Sequence, residues 1–258
     1  MSPGRGPASS LAGRTILVTR PIERSAHLVA ELEARGAVAL AAPAIRVSPV
    51  RSAALTAALR GLATGRFAWI VLTSPATIAV LAGRLPSAQD VRARVAAIGD
   101  GTAAAFERYA SRPADLRPRA FTTESLARAF PRGEGRVLCP RADIAPEGFE
   151  DALAAKGWTP TRVDAYRTTF PRTLPAEAGR ALARGEVDGV TFTSASTVRG
   201  FVGALGTVTG APKVVCIGPV TAKEARAHGF TVHGVADPHT TDGLVAALER
   251  VFRPRRGS

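Results

Sequence analysis

Val71-Leu-Thr-Ser-Pro-Ala-Thr77 and Thr191-Phe-Thr-Ser-Ala-Ser-Thr197 share one pattern: an apolar run, a Thr-Ser turn, then small residues opening a helix. They lie about 120 residues apart, and other stretches repeat at nearly the same offset. Ala97-Ile-Gly-Asp-Gly-Thr-Ala103 matches Cys216-Ile-Gly-Pro-Val-Thr-Ala222, and Thr122-Thr-Glu-Ser-Leu126 matches Thr240-Thr-Asp-Gly-Leu244. Upstream, Arg14-Thr-Ile-Leu-Val-Thr-Arg20 resembles Arg136-Val-Leu-Cys-Pro-Arg141, and Leu32-Glu-Ala-Arg-Gly36 resembles Leu153-Ala-Ala-Lys-Gly157. Five blocks recur in order, so the chain is an internal duplication.

Each block has a β-branched run, a Gly/Ser/Thr/Pro turn and an amphipathic stretch, which is the order strand, turn, helix. The clearest cases are a strand over 15–19 with a helix over 23–35, a strand over 69–72 with a helix over 75–84, and a strand over 214–217 with a helix over 219–228. Pro75 and Pro219 sit where a first helical residue tolerates proline. Strands alternating with helices imply parallel sheets covered on both faces, hence an α/β fold of two similar lobes. The Pro-containing breaks at 48–52 and 168–175 read as connectors, and 1–12 and 253–258 as mobile ends.

The 258 residues, 46% hydrophobic and 21% charged, are a globular composition that excludes disorder, collagen and coiled coil. The longest uncharged stretch, 67–83, is short and interrupted by Thr73, Ser74, Pro75 and Thr77, so it does not span a bilayer. Residues 1–12 lack the apolar core of a secretory signal, and the expected compartment is the cytoplasm. Cys139 and Cys216 each lie in an apolar strand-like run, which suits buried thiols rather than a disulfide framework. The net charge is +13, carried by dispersed arginines. It fits a polyanionic partner or merely a well-solvated surface. Aromatics, at 5%, are too few for a base-stacking surface.

In parallel sheets ligands sit at the carboxyl ends of strands, where helix N-termini present free N–H groups. Here Thr73-Ser74, Thr193-Ser194, Gly99-Asp-Gly-Thr102 and Gly218-Pro-Val-Thr221 combine backbone donors with hydroxyls, a set suited to carboxylate or phosphate. Each Ser or Thr also fits a simple N-cap. There is no Walker A sequence, no complete G-x-G-x-x-G and no G-x-S-x-G. His27, His228, His233 and His239 have no metal-like spacing and neither cysteine has a C-x-x-C partner, so no metal is implied. Tyr166, ending a strand-like run over 162–167, carries a phenol able to protonate a leaving group, although a strand tyrosine is commonly a packing residue. Tyr109, patterned with Phe106, reads as packing.

Val18-Thr-Arg-Pro21, Asp164-Ala-Tyr-Arg-Thr168, Phe192-Thr-Ser194 and Cys216-Ile-Gly-Pro-Val-Thr-Ala222 together resemble the uroporphyrinogen-III synthase family over about 14–252. The resemblance implies flavodoxin-like lobes joined by a two-stranded linker. One lobe is discontinuous, residues 1–48 with 170–258; the other is 49–169, and the active-site cleft lies between them. The repeat alone would instead cut the chain at about 130. The implied reaction closes hydroxymethylbilane, an octacarboxylate linear tetrapyrrole, to uroporphyrinogen III with inversion of ring D and loss of water. No cofactor takes part.

By the same resemblance Tyr166 matches the tyrosine that assists hydroxyl departure, while Thr73, Ser74, Thr102, Ser194, Gly218 and Thr221 fall on the substrate-binding motifs of the cleft. Thr193 joins them through its turn, and Arg20 is either a carboxylate partner or a surface residue at a strand end. The chain departs from the family pattern at Arg141-Ala-Asp-Ile-Ala-Pro-Glu-Gly148, which leaves Arg141 without an assigned role. The implied protein is a cytoplasmic monomer receiving substrate from hydroxymethylbilane synthase, with no nucleic-acid or membrane partner. Two other readings are a noncatalytic bilobal sensor of an anionic ligand, against which stands the retained Tyr166, and a nucleic-acid-binding protein, for which no recognised motif is present.

Overall fold

A computed structural model describes residues 9–254 of the 258. The elements follow in chain order. They are β1 (Thr15–Val18), α1 (Ala26–Glu33), β2 (Val38–Ala41), β3 (Arg46–Pro49), α2 (Ala53–Ala63), β4 (Trp69–Leu72), α3 (Pro75–Ala82), β5 (Arg94–Ala97), α4 (Asp100–Ala110) and α5 (Thr123–Ala129). Then come β6 (Arg136–Ala142), α6 (Phe149–Ala154), β7 (Thr159–Thr169), α7 (Ala176–Ala183), β8 (Gly189–Phe192), α8 (Ala195–Ala204), β9 (Lys213–Cys216), α9 (Pro219–Ala227), β10 (Val232–Val235) and α10 (Thr241–Phe252).

The chain folds as two units. One combines the chain through Arg46 with the chain from Thr169 onward; the other is Val47–Thr168. The first holds a sheet in the order β10-β9-β8-β1-β2, whose strands all pair in parallel. Numbered along the chain within its unit, the order is 2-1-3-4-5, that of flavodoxin-like folds. The second sheet runs β3-β7-β6-β4-β5, with β4, β5, β6 and β7 parallel.

Each central strand divides its side chains between two cores, because alternate residues face opposite sides of a sheet. In the first unit Leu17 packs with Val190, Phe192, Leu182 and Phe201 on one face, while Ile16 and Val18 pack with Leu28, Leu32, Leu244 and Leu248 on the other. In the second unit Ile70 and Leu72 meet Leu55, Leu59, Ile78 and Phe106, while Trp69 and Val71 meet Leu126, Phe130, Phe149 and Leu153. Strands buried on both sides are continuously apolar, which is why β4 reads Trp-Ile-Val-Leu with no polar residue. Each such Leu, Ile or Val stabilises its unit by roughly 1.5–3 kcal/mol.

The repeat and the units do not coincide. β1 and β6 carry matched sequences, as do β8 and β4 and β9 and β5, yet β1 and β8 share one sheet and β6 and β4 the other. Each sheet therefore joins the opening of one repeat to the close of the other. Matched strands hold matched positions, with β9-β8-β1-β2 corresponding to β5-β4-β6-β7. Where the first sheet adds β10 beyond β9, the second has only a parallel bridge from Ala96 of β5 to Leu116.

Residues 9–12, read from sequence as part of a loose end, are tied down. Leu11 is fully buried against α1 and α10, and Ser10 Oγ donates to the Glu249 carbonyl at 2.9 Å. A fully buried leucine anchors a segment that composition alone makes look mobile. Residues 1–8 and 255–258, the rest of the two expected mobile ends, lie outside the described residues. Among the described residues no helix is long and apolar enough to cross a membrane.

Candidate functional site

In both units the expected site residues stand at the carboxyl edge of the parallel strands, where helix N-termini leave backbone N–H groups without intrahelical acceptors. β4 ends at Leu72. Thr73 and Ser74 follow in half-exposed positions, and Ser74 Oγ accepts the Ala76 N–H at 3.1 Å to cap α3. β8 ends at Phe192. Ser194 Oγ accepts the Thr197 N–H at 3.2 Å, Thr197 Oγ1 accepts the Ser194 N–H at 3.2 Å, and Ser196 Oγ lies 2.9 Å from Ser194 Oγ. The capping function that sequence allowed is therefore realised. It uses a hydroxyl lone pair and not the O–H, so Ser74 keeps a donor for a ligand. Thr73 and Thr193 form no side-chain hydrogen bond among the described residues and keep both capacities.

The next turns use glycine. Gly99 and Gly218 occupy the N-cap positions of α4 and α9 in fully extended backbone, with no side-chain cap. A Cβ on Gly99 would come within 2.8 Å of the Phe121 ring, so close packing requires glycine there. Thr102 and Thr221 sit third in these helices and are only 4% exposed. They are less accessible than an edge position suggests, and a ligand would meet the backbone of these turns before their hydroxyls.

Arg20 lies two residues beyond β1. Its Nη1 donates to the Arg24 carbonyl at 3.2 Å and to Thr241 Oγ1 at 3.3 Å, and no carboxylate lies within ion-pair range among the described residues. Burial lowers its pKa, and the neighbouring charge of Arg24 acts in the same direction. Thr241 opens α10, whose N-cap Thr240 accepts the Gly243 N–H at 3.1 Å. A partly desolvated guanidinium beside the positive end of a 12-residue helix favours an anion. Sequence reading put Thr240 and Thr241 in the repeat but not in the site. The recurring Thr-Thr before each last helix was the available signal.

Tyr166 is set by a β-bulge. In the β6–β7 register Arg141 faces Asp164 but Ala142 faces Tyr166, leaving Ala165 as the extra residue. Ala165 and Tyr166 consequently both join the core beneath α2 and α3, along with Val163, instead of pointing to opposite faces. Asp143 fixes this segment. Its N–H donates to the Tyr166 carbonyl at 3.1 Å, its Oδ1 accepts the Thr168 N–H at 2.9 Å, and its Oδ2 lies 3.6 Å from Arg167 Nε. Tyr166 keeps only 7% of its surface exposed.

Arg141, left unassigned by sequence, is 2% exposed on the neighbouring strand. Its Nη1 donates to both Glu150 carboxylate oxygens at 3.1 Å, and its guanidinium lies 5.3 Å from the Phe149 ring centroid. Its Nε is buried with no acceptor among the described residues. Both cysteines are buried and unpaired, and burial pushes each thiol up to about 12. They are inert at neutral pH. Among the described residues no three His, Cys, Asp or Glu side chains gather as a metal would require.

Against this geometry, the model of the uroporphyrinogen-III synthase HemD family matches residues 26–246. The chain belongs to the uroporphyrinogen-III synthase family. As a member of it the protein is a lyase of porphyrin biosynthesis. The uroporphyrinogen-III synthase of Synechococcus elongatus is 30% identical over 259 residues, covering 94% of this chain and 97% of its own. A putative uroporphyrinogen-III synthase of Methanothermobacter thermautotrophicus is 32% identical over 252 residues, covering 90% of this chain and 96% of its own. A crystal structure of a mutant uroporphyrinogen III synthase from Thermus thermophilus superposes with a TM-score of 0.63 at 23% identity, covering 93% of this chain and 99% of that one. The uroporphyrinogen-III synthetase of Helicobacter pylori gives 0.59 at 14% identity, covering 93% and 100%. At those identities the structures speak for the synthase fold, the two-lobed parallel α/β architecture.

Proposed function

We propose that this protein converts hydroxymethylbilane to uroporphyrinogen III. Membership of the synthase family carries this reading, and the two matched sets of donor turns support it. The substrate leaves as a ring after losing one water. Protonation of the terminal hydroxymethyl oxygen lets the electron-rich pyrrole expel it, giving an azafulvene. The substituted carbon of ring D then attacks that centre, and the spiro intermediate fragments and recloses with ring D inverted. Most of the catalytic task is holding the chain so that this carbon attacks, since unassisted closure gives the uninverted isomer.

Tyr166 is the proposed proton donor to the departing hydroxyl. Arg20, Thr73, Ser74, Thr193 and Ser194 are the proposed partners of the substrate carboxylates, with the Gly99–Thr102 and Gly218–Thr221 turns contributing chiefly backbone N–H groups. We further propose a monomer, working in the cytoplasm and receiving its labile substrate from hydroxymethylbilane synthase, with neither nucleic acid nor membrane as partner. Two unpaired thiols suit that reducing compartment.

The test is isomer analysis of the product from freshly generated hydroxymethylbilane, with and without the purified protein. Predominant isomer III establishes the reaction; isomer I alone, under conditions where another synthase gives III, overturns it. For Arg20→Gln we expect KM to rise about 10-fold with kcat changed less than about 3-fold, the behaviour of a group that binds ground and transition states alike. An unchanged KM would remove Arg20 from the binding set.

A further inference from the structure

Residues 34–89 contain no Asp or Glu while carrying six arginines, Arg35, Arg46, Arg51, Arg60, Arg66 and Arg84. Three of them surround one hollow. Its volume is about 520 Å³, and it is lined by Arg51, Ser52, Ala53, Thr56, Ala57, Arg60 and Arg84. The wall is the outward face of α2, an 11-residue helix whose other face buries Leu55, Leu59 and Leu62. Ser52 Oγ caps that helix by accepting the Leu55 N–H at 3.1 Å, and Thr56 Oγ1 donates back to the Ser52 carbonyl at 3.0 Å. The lining contains no acidic residue, and no guanidinium of the three lies within ion-pair range of a carboxylate among the described residues. Arginines elsewhere, such as Arg14, Arg35, Arg117 and Arg199, do find an Asp or Glu.

The hollow is also joined by hydrogen bonds to the strand backbone at Ala165, next to Tyr166. Arg84 Nη2 donates to the Val50 carbonyl at 2.8 Å, which holds that side chain over the connector between β3 and α2. The Val50 N–H in turn donates to the Ala165 carbonyl at 3.0 Å, one residue before the tyrosine. Three guanidiniums with no acidic neighbour, on a lining that is largely exposed, raise the local concentration of anions at this surface. Ala53, Thr56 and Ala57 are short and adjacent on one helix face, so they leave the surface between the arginines open to a ligand.

We propose that Arg51, Arg60 and Arg84 form a carboxylate-binding subsite for an acetate- and propionate-bearing pyrrole of the substrate. The ligand's identity rests on the proposed synthase reaction; the site itself rests on the hollow, its charge and its hydrogen-bonded connection to the strand beside Tyr166. The subsite holds one pyrrole through its side-chain carboxylates while the reacting ring is elsewhere on the same substrate. Such remote binding favours the ground and transition states equally, so it acts on KM.

The test uses the full chain with Arg51→Gln and Arg60→Gln combined, leaving Arg84 because it also holds Val50. KM for hydroxymethylbilane is expected to rise about 10-fold with kcat within about 2-fold of wild type. A direct titration with uroporphyrin I, a stable octacarboxylate, should show a comparable loss of affinity and a shallower dependence on salt in the variant. If the wild-type protein makes isomer III, an unchanged KM overturns the subsite. If it does not, the reaction is refuted and the titration alone decides: lost uroporphyrin affinity sustains the subsite and unchanged affinity overturns it. Competition by inorganic phosphate that displaces uroporphyrin I as readily as free uroporphyrin III does would reduce the hollow to an unselective anion patch and also overturn the assignment.

Discussion

Tyr166→Phe is expected to lower kcat by about 100-fold or more while leaving the protein folded, the size of effect a positioned general acid supplies. The substitution keeps the ring that packs with Val163 and Ala165 and removes only the hydroxyl, so the core beneath α2 and α3 stays filled. The residual product should shift toward isomer I, because free hydroxymethylbilane closes without inversion when enzymatic turnover is slow. Tyr109→Phe is the matched control. Its hydroxyl is buried with no hydrogen-bond partner among the described residues, and burial followed by the charge of Asp90 raises its pKa. Removing that group should leave kcat and KM unchanged and stability equal or slightly higher. Wild-type turnover in a folded Tyr166→Phe protein would eliminate the proton-donor role and leave conformational control as the whole of catalysis.

How much of this could be read from the chain differs from one feature to the next, and the reason is the range over which each signal acts. Strand, turn and helix are local, so Thr73-Ser74 and Thr193-Ser194 announce caps that the structure forms within three residues. The alternation of β4 between two cores is likewise written in four consecutive apolar residues. Which strands share a sheet is not local. The blocks match along the chain, yet each sheet pairs the opening strands of one repeat with the closing strands of the other, and no residue in β1 states that its neighbour is β8 rather than β4. The bulge at Ala165 is also invisible, since it is a difference in count between two strands and not a property of either. Arg20 illustrates a third limit. Sequence supplies the cation and its place at a strand end; only the fold reveals that its partners are a carbonyl and a threonine hydroxyl rather than a carboxylate.

Glu150→Ala is expected to destabilise the second unit by about 3–5 kcal/mol, because it leaves a buried charge without its partner. Arg141 is 2% exposed and Glu150 is its only ion-pair partner among the described residues. A guanidinium cannot relieve the loss by deprotonating, so it must either remain desolvated or open the structure to water. Phe149 packs against the same guanidinium and is itself buried, so opening a path for water would also disturb the helix start at α6. Urea unfolding of Glu150→Ala, followed by a probe in this unit such as Trp69 or Trp158 fluorescence, measures the cost.

The informative comparison is the double replacement Arg141→Met with Glu150→Leu. Replacing both charges by apolar groups of similar size is often neutral or stabilising, so the double variant should recover to within about 1 kcal/mol of wild type or exceed it. Recovered stability together with wild-type kcat would make the pair a replaceable structural strut. Recovered stability with a fallen kcat would instead mean that the pair acts on the reaction through β6, where Ala142 faces Tyr166 across the bulge. Failure of the double variant to recover would show that the packing of the Arg141 guanidinium on the Phe149 ring contributes more to this unit than the ion pair does.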